Sequence, residues 1–398
     1  MIVPKLRFSE FKDEWIESKI GENFNVTSGT TPLRSEQSYF ANPSIYWVKT
    51  TDLNNGIIKS TEEKISKIAL AKTSLKILPK NTVFVAMYGG FNQIGRTGIL
   101  SVEATCNQAL SAIYPNENFN PYFVLTYLNH KVDDWKNFAA SSRKDPNITK
   151  NDVLSFPIIY PTLTEQTKIA EFLSAVDDKI SQLSQQLELL NQYKKGVMQK
   201  IFSQEIRFKN DNGEDFGEWG YLQLGELIEE SKAVSKKQDE FDVLTSSRRG
   251  LIKQSEYFEG SRLIDRDNVG FNIIKPHEIT YRSRSDDGLF YFNFNNLGIT
   301  GIISTYYPVF SFKNSNNKFV TEYLNFNKAD FSKYAVGTSQ LVLSLNALRT
   351  VKLRIPSKPE QEKIAEFLTA IDERIDHTTA QLTHTKQWKK GLLQQMFV

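Results

Sequence analysis

The sequence predicts an α+β protein of two similar globular domains, each followed by a long helix, built as a pseudo-two-fold tandem duplication. Three observations carry that prediction. "EQTKIAEFLSAVDDKI" (Glu165–Ile180) returns 195 residues later as "EQEKIAEFLTAIDERI" (Glu360–Ile375), with eleven of sixteen positions identical. "YKKGVMQKIF" (Tyr193–Phe202) returns at the same offset as "WKKGLLQQMF" (Trp388–Phe397). The start of each half is also alike: Arg7-Phe8 and Trp15 align with Arg207-Phe208 and Trp219, whereas residues 30–115 and 231–310 show no match. A period this long is that of a whole domain plus a helix, not of a solenoid. The expected segments are a first domain at 1–160, a central helix at 161–203, a second domain at 204–355 and a C-terminal helix at 356–398.

The helices are the clearest elements. In the first, Ile169, Leu173, Val176, Ile180, Leu183, Leu187 and Leu190 fall at alternating steps of four and three, the a/d seam of a coiled coil. The second keeps Ile364, Leu368, Ile371, Ile375, Leu382 and Leu392, with Thr378 and Thr385 at seam positions. Thr162-x-x-Glu165 and Ser357-x-x-Glu360 read as capping boxes, and Pro161 and Pro356 bar earlier helix. At ~1.5 Å per residue each rod is roughly 57–60 Å long. A narrow apolar stripe needs a partner. The expectation is that the two rods pair with each other, antiparallel, with the domains at opposite ends.

The domains read as mixed and rich in Phe and Tyr. "NTVFVAMYGGFNQIGRTGIL" (Asn81–Leu100) is a strand, a glycine-rich loop and a strand, and "SIYWVKTTDLNNGIIKS" (Ser44–Ser60) reads as a hairpin turning at Asn55-Gly56. "PYFVLTYLNH" (Pro121–His130) and "KFVTEYLNF" (Lys318–Phe326) are short helices. "SFPIIYP" and "TVKLRIP" give the last strand before each rod.

Composition bounds the function class. The chain has 398 residues and a formal charge of +3, so a basic surface must arise from local clustering. One cysteine, Cys106, allows neither an intrachain disulfide nor a cysteine-based zinc cluster and suits a reducing cytoplasm. No signal peptide and no uncharged apolar run of membrane-spanning length is present. Catalytic patterns are scarce. There is no phosphate-binding G-x-x-x-x-G-K-[ST] loop, and "GGFNQIGRTG" lacks the G-x-G-x-x-G spacing of a dinucleotide site. Pro-Pro occurs nowhere, which excludes the Asp/Asn-Pro-Pro-aromatic motif of amino-methyltransferases. His377 and His384 lie two helical turns apart, too far to chelate one ion. No metal site is expected. Asp52 with Glu62 and Lys64 superficially has the form of a nuclease trio, but the surface charges of a hairpin and helix start explain it better.

What the unmatched middles do carry is the chemistry of nucleic-acid recognition: cations for phosphates, and Arg, Asn, Gln, Ser and Thr for base edges. In the first domain the candidates are Thr30, Thr31, Arg34, Lys49, Thr50, Tyr88, Gly89, Gly90, Asn92, Gln93, Arg96, Thr97, Asn107, Gln108, Ser142, Arg143 and Lys144. In the second they are Ser246, Ser247, Arg248, Arg249, Tyr281, Arg282, Ser283, Arg284, Thr338, Ser339 and Gln340. Arg96, Arg248, Arg249, Arg282 and Arg284 suit guanine; Asn92, Gln93, Asn107 and Gln108 suit adenine. Two other classes compete: a structural coiled-coil protein with two adhesion-like domains, and a nuclease built on Asp52, Glu62 and Lys64.

The duplicated "P…EQ…KIAEFL…A(V/I)D" helices, the "(Y/W)KKG…(I/M)F" endings and the segment "NTVFVAMYGGFNQIGRTG…CNQAL" resemble the specificity subunit of type I restriction–modification systems over nearly the whole chain. The resemblance implies two target-recognition domains, each reading one half of a split sequence in double-stranded DNA, held at a fixed distance by the two helices. It implies no catalytic activity and no cofactor in this chain. Two methyltransferase subunits using S-adenosylmethionine, and two motor–nuclease subunits using ATP and Mg, are the implied partners. The helices then repeat because they meet identical partners, and the middles diverge because they read different half-sites. Lengthening the rods by one turn is expected to change the gap between half-sites and leave the half-sites alone. A circular arrangement would also seat the N-terminal "MIVPKLRF" near the last helix.

Overall fold

The computed structural model describes residues 2–90, 92–139, 147–257 and 267–398. The chain forms two compact units: Met1–Gln185 with Ala380–Val398, and Gln186–Thr379. The division between the two units falls within the long helices. The central helix spans Leu163–Phe202 and the C-terminal helix Lys358–Met396, and each contributes residues to both units.

In the first unit a five-stranded sheet runs in the order Val26–Ser28, Leu110–Ile113, Val83–Ala86, Thr97–Leu100, Ile57–Ile58. Its three central strands are buried at every position. Alternation along a strand sends Val83, Val85 and Ile113 into one core, while Phe84, Ala86, Leu110 and Ala112 enter another on the opposite face. A three-stranded sheet joins Lys64–Ile65, Ile45–Val48 and Thr105–Cys106. The Asn55-Gly56 hairpin does not form: Ile45–Val48 pairs with Lys64–Ile65, and Ile57–Ile58 lies parallel to Thr97–Leu100. Asn55 does take the left-handed conformation, with φ 57°, but its backbone N–H donates to Thr97 O and its side-chain oxygen accepts from Thr97 N. The turn chemistry was legible; the partner strand was not.

The second unit holds two four-stranded sheets. One is antiparallel, in the order Ile228–Glu230, Val309–Phe312, Ile279–Tyr281, Phe292–Phe294. The other runs Gly250–Lys253, Asp242–Ser247, Gly301–Ile303, Asn272–Ile274. The middles thus differ in sheet topology as well as in sequence.

The ends of the two units repeat contact by contact. The strand Ile16–Lys19 pairs with Pro157–Tyr160, and Gly220–Gln223 pairs with Lys352–Ile355. Asn120 and Asn316 cap the helices Pro121–His130 and Asn317–Phe326. Gln166 and Gln361 accept from the backbone N–H of those caps and donate to Pro161 and Pro356. Asp177 binds Lys389 at 2.5 Å, and its counterpart Asp372 binds Lys194 at 2.6 Å, so the same carboxylate–ammonium pair joins the long helices in each unit.

Two helix expectations need correction. The capping boxes are replaced: Glu165 and Glu360 place both carboxylate oxygens on the guanidinium groups of Arg7 and Arg207. The seam is also more than a coiled coil. Ile169, Leu173 and Val176 belong to the first domain's own core, together with Phe123, Tyr127, Leu392 and Phe397. Ile364, Leu368 and Ile371 do the same in the second unit. Ile180 and Ile375 pack at the margins of these cores, Leu183 and Leu382 are buried, and Leu187 and Leu190 are half-buried. The N-terminal segment does meet the last helix: Leu6 N–H donates to Gln395 O at 2.8 Å, and Ile2 packs on the first core.

Candidate nucleic-acid interface

In the first domain, backbone hydrogen bonds gather the predicted loops around residues 106–109. Thr30 N donates to Cys106 O, Asn107 N to Val48 O and Met87 N to Ala109 O. This brings the loops carrying Thr30, Thr31, Lys49, Thr50, Tyr88, Asn107 and Gln108 to one edge. Thr31 is hydrogen-bonded to Gln108, and Thr30 to Ser74. Gly89 and Gly90 have φ of 119° and 83°, which L side chains rarely adopt, and so turn the chain sharply after Tyr88. Tyr88 and Asn92 are exposed at that loop.

Arg34, Lys49 and Arg96 are already engaged. Arg34 pairs with Glu63 at 2.7 Å and lies over the rings of Phe40 and Trp47. Lys49 binds Glu63 at 2.7 Å and Glu62 at 3.2 Å, and the Glu63 hydrogen bond holds its ammonium above the ordinary lysine range. Arg96 donates to Gln93 at 2.6 Å. Thr97 is a core residue, fully buried with its hydroxyl on Asn129, so it supports the loop and has no free face for a ligand. Ser142, Arg143 and Lys144 lie outside the described residues. Asp52, of the nuclease-like trio, spends one carboxylate oxygen on Lys49 N and the other on Glu62 N. Among the described residues no three His, Cys, Asp or Glu side chains are grouped to hold a metal ion. Cys106 is buried, and burial pushes its thiol up to about 12.

The second domain is arranged differently. Ser247 and Gly250 face each other in register, so Arg248 and Arg249 form the two-residue tip of a β-hairpin. Ser247 Oγ builds that tip by donating to Gly250 O and accepting from Arg249 N. Arg282 and Arg284, remote in sequence, line the same cleft of about 760 Å³, together with Ser246 and Ser247. A second cleft of about 530 Å³ also takes Arg248 and Arg249 into its wall. Arg248 forms an ion pair with Asp287 at 2.7 Å and faces Tyr291, while Arg284 lies 5.0 Å over Tyr306. Ser283 Oγ donates to Tyr306 O. The strand Arg284–Ser285 pairs with Leu341–Val342, which carries Thr338, Ser339 and Gln340 alongside; Gln340 donates to Asp286. Thr338 and Ser339 are exposed. Tyr281 needs correction: it is fully buried and donates its hydroxyl to Leu343 O. Ser246 is nearly buried and accepts from Asn293.

Sequence reasoning missed Tyr257, Tyr291, Tyr306, Tyr307 and Asp287 at this cleft. Asp287 lies only three residues beyond the candidate Arg284. The tyrosines gave no positional signal among sixteen of their kind.

Gly337 shapes the neighbouring turn. Its φ is 127°, and a methyl group there would overlap the carbonyl oxygen of Gln340. Gly337→Ala is expected to cost about 1–3 kcal/mol. Faster hydrogen exchange at the mutually bonded amides of Val336 and Val342 would register it.

The model of the type I restriction modification DNA specificity domain matches residues 12–192 and again 217–385. Among curated proteins, the chain is 24% identical over 421 aligned positions to the MjaVIII specificity subunit of Methanocaldococcus jannaschii, covering 96% of this chain and 91% of that one. It is 25% identical over 184 residues to the EcoR124I/EcoR124II specificity subunit of Escherichia coli, a match to 46% of this chain and 45% of that protein. Among solved structures, the S subunit of a type I restriction–modification system from M. genitalium superposes with a TM-score of 0.62 at 16% identity, covering 100% of this chain and 99% of the other. That likeness supports the fold. With two copies of the domain matched in tandem over most of its length, the chain belongs to the type I restriction-modification DNA specificity family.

Proposed function

We propose that this chain is the non-catalytic DNA-recognition subunit of a type I restriction–modification complex, each unit reading one half of a bipartite target. One observation carries the reading: the units repeat each other where they meet the long helices and differ where polar loops face outward. The first presents Thr, Asn, Gln and Gly with Arg34 and Lys49 paired, and the second an arginine-lined cleft.

The repeated surface supports docking of two identical partners. A groove of about 750 Å³ beside Glu171, Ser174 and Asp178 has its counterpart in one of about 910 Å³ beside Glu366, Thr369 and Glu373. On this reading the partners are methyltransferase subunits, with motor–nuclease subunits joining them. S-adenosylmethionine, ATP and Mg belong to those partners. The reading also implies a cytoplasmic protein; among the described residues no helix is long and apolar enough to cross a membrane.

The test is co-expression with the cognate methyltransferase subunit in a host without other adenine methylation, followed by mapping of modified adenines. A split motif with a constant gap is expected, and exchanging residues 204–355 for those of a relative should change one half only. A stoichiometric complex that methylates nothing would overturn the reading.

A further inference from the structure

Four arginines meet in the second domain's cleft, and they are held in two different ways. Arg248 stands on a hairpin tip fixed by Ser247, with its guanidinium bound to Asp287 and set against the ring of Tyr291. Asp287 is itself fixed, accepting from Ser285 Oγ at 2.9 Å and Leu289 N at 3.2 Å. Those bonds hold its carboxyl below the usual carboxylate range, so it stays a charged brace. Arg284 lies in a strand paired with Leu341–Val342, its guanidinium over Tyr306. By contrast, no side-chain partner of Arg249 or Arg282 occurs among the described residues, though both line the cleft.

Reading a guanine edge requires a planar guanidinium presented in one orientation, because two N–H groups must meet O6 and N7 together. A free arginine carries about 2 kcal/mol of rotamer entropy, which a brace removes in advance. Asp287 lies against one nitrogen, Nη2, of the Arg248 guanidinium, which leaves donors enough for a bidentate contact. A phosphate tolerates many approaches and rewards an unneutralised cation through counterion release.

Resting on the DNA-recognition reading above, we infer that Arg248 and Arg284 read guanine in the half-site of the second domain, with Asp287 as a positioning residue, whereas Arg249 and Arg282 hold phosphates. The half-site assigned to Gln186–Thr379 therefore contains guanine at the positions these two arginines face.

The test uses the complex with the cognate methyltransferase subunit, its methylation motif, and its affinity for cognate and half-site-scrambled duplexes over a salt series. Arg248→Lys and Arg284→Lys keep the charge and lose the fork. Each is expected to weaken cognate binding about 5- to 150-fold, to relax one guanine of the motif, and to leave scrambled binding and the salt slope unchanged. Asp287→Asn should relax the same position as Arg248→Lys without weakening scrambled binding. Arg249→Ala and Arg282→Ala should weaken all duplexes alike, keep the motif, and lower the salt slope by about 1 each.

A second half-site without guanine would overturn the inference. So would lysine variants that weaken all duplexes equally, or alanine variants that relax the motif. If the parent complex has no sequence preference at all, it is the underlying DNA reading that fails, before any variant is compared.

Discussion

Phe397→Ala is expected to destabilise the chain by about 3–5 kcal/mol, although the residue is next to last. Terminal residues ordinarily fray. Phe397 instead is 4% exposed, with ring contacts to Trp15 at 6.5 Å, Phe123 at 5.5 Å, Tyr127 at 5.8 Å and His130 at 5.6 Å. These partners come from an N-terminal segment and from the helix Pro121–His130, so one side chain ties three distant stretches into one core. Aromatic pairs of this geometry add about 0.5–1.5 kcal/mol each beyond burial, and the rigid rings around the site would not close the cavity. The measurement is a urea transition with its midpoint lowered at constant slope. A loss under 1 kcal/mol would mean that the C-terminal turn is peripheral to folding. Phe202, at the matching place, contacts Phe319, Tyr323 and Phe326, and Phe202→Ala should behave alike.

The same residue shows what a sequence can disclose. "(Y/W)KKG…(I/M)F" was visible as a repeat because both phenylalanines fill equivalent aromatic boxes. The helices were visible because apolar residues at alternating steps of four and three need no knowledge of the partner. The seam's occupant was not, since Ile169 or Leu173 looks identical whether it faces a second rod or a domain core. Glu165 followed the spacing of a capping box, yet Arg7, 158 residues away, outcompetes the local backbone for it. At the candidate interface, residue type pointed to the right stretches and could not rank members within them. Tyr281 and Thr97 have reader chemistry but lie on strands buried at every position, and the convergence of Arg248 with Arg284 depends on sheet topology no local pattern encodes. Tyr291 and Tyr306 are significant only through that convergence.

Arg7→Ala is the second variant with a large expected effect, and its partner variant should behave differently. Arg7 donates from Nε and Nη2 to the two oxygens of Glu165, each at 2.8 Å, and also to Asp13 O. The two sides are buried unequally: Glu165 is 1% exposed and Arg7 13%. Removing the arginine strands a carboxylate with no route to water, which costs about 3–5 kcal/mol. Removing the carboxylate by Glu165→Ala leaves a guanidinium that can turn outward on a flexible stem, so the loss should be smaller. The double variant, which buries no stranded charge, should then be more stable than Arg7→Ala alone. Arg207 and Glu360 repeat the geometry, at 22% and 1% exposure, and the same order should hold there. A cycle of denaturation midpoints decides it: additive losses would mean that the pair is merely adjacent. A positive coupling at both positions would mean that each domain is clamped to the start of its own long helix by the same bond, which is why those two glutamates survive in a sequence whose domain interiors have diverged.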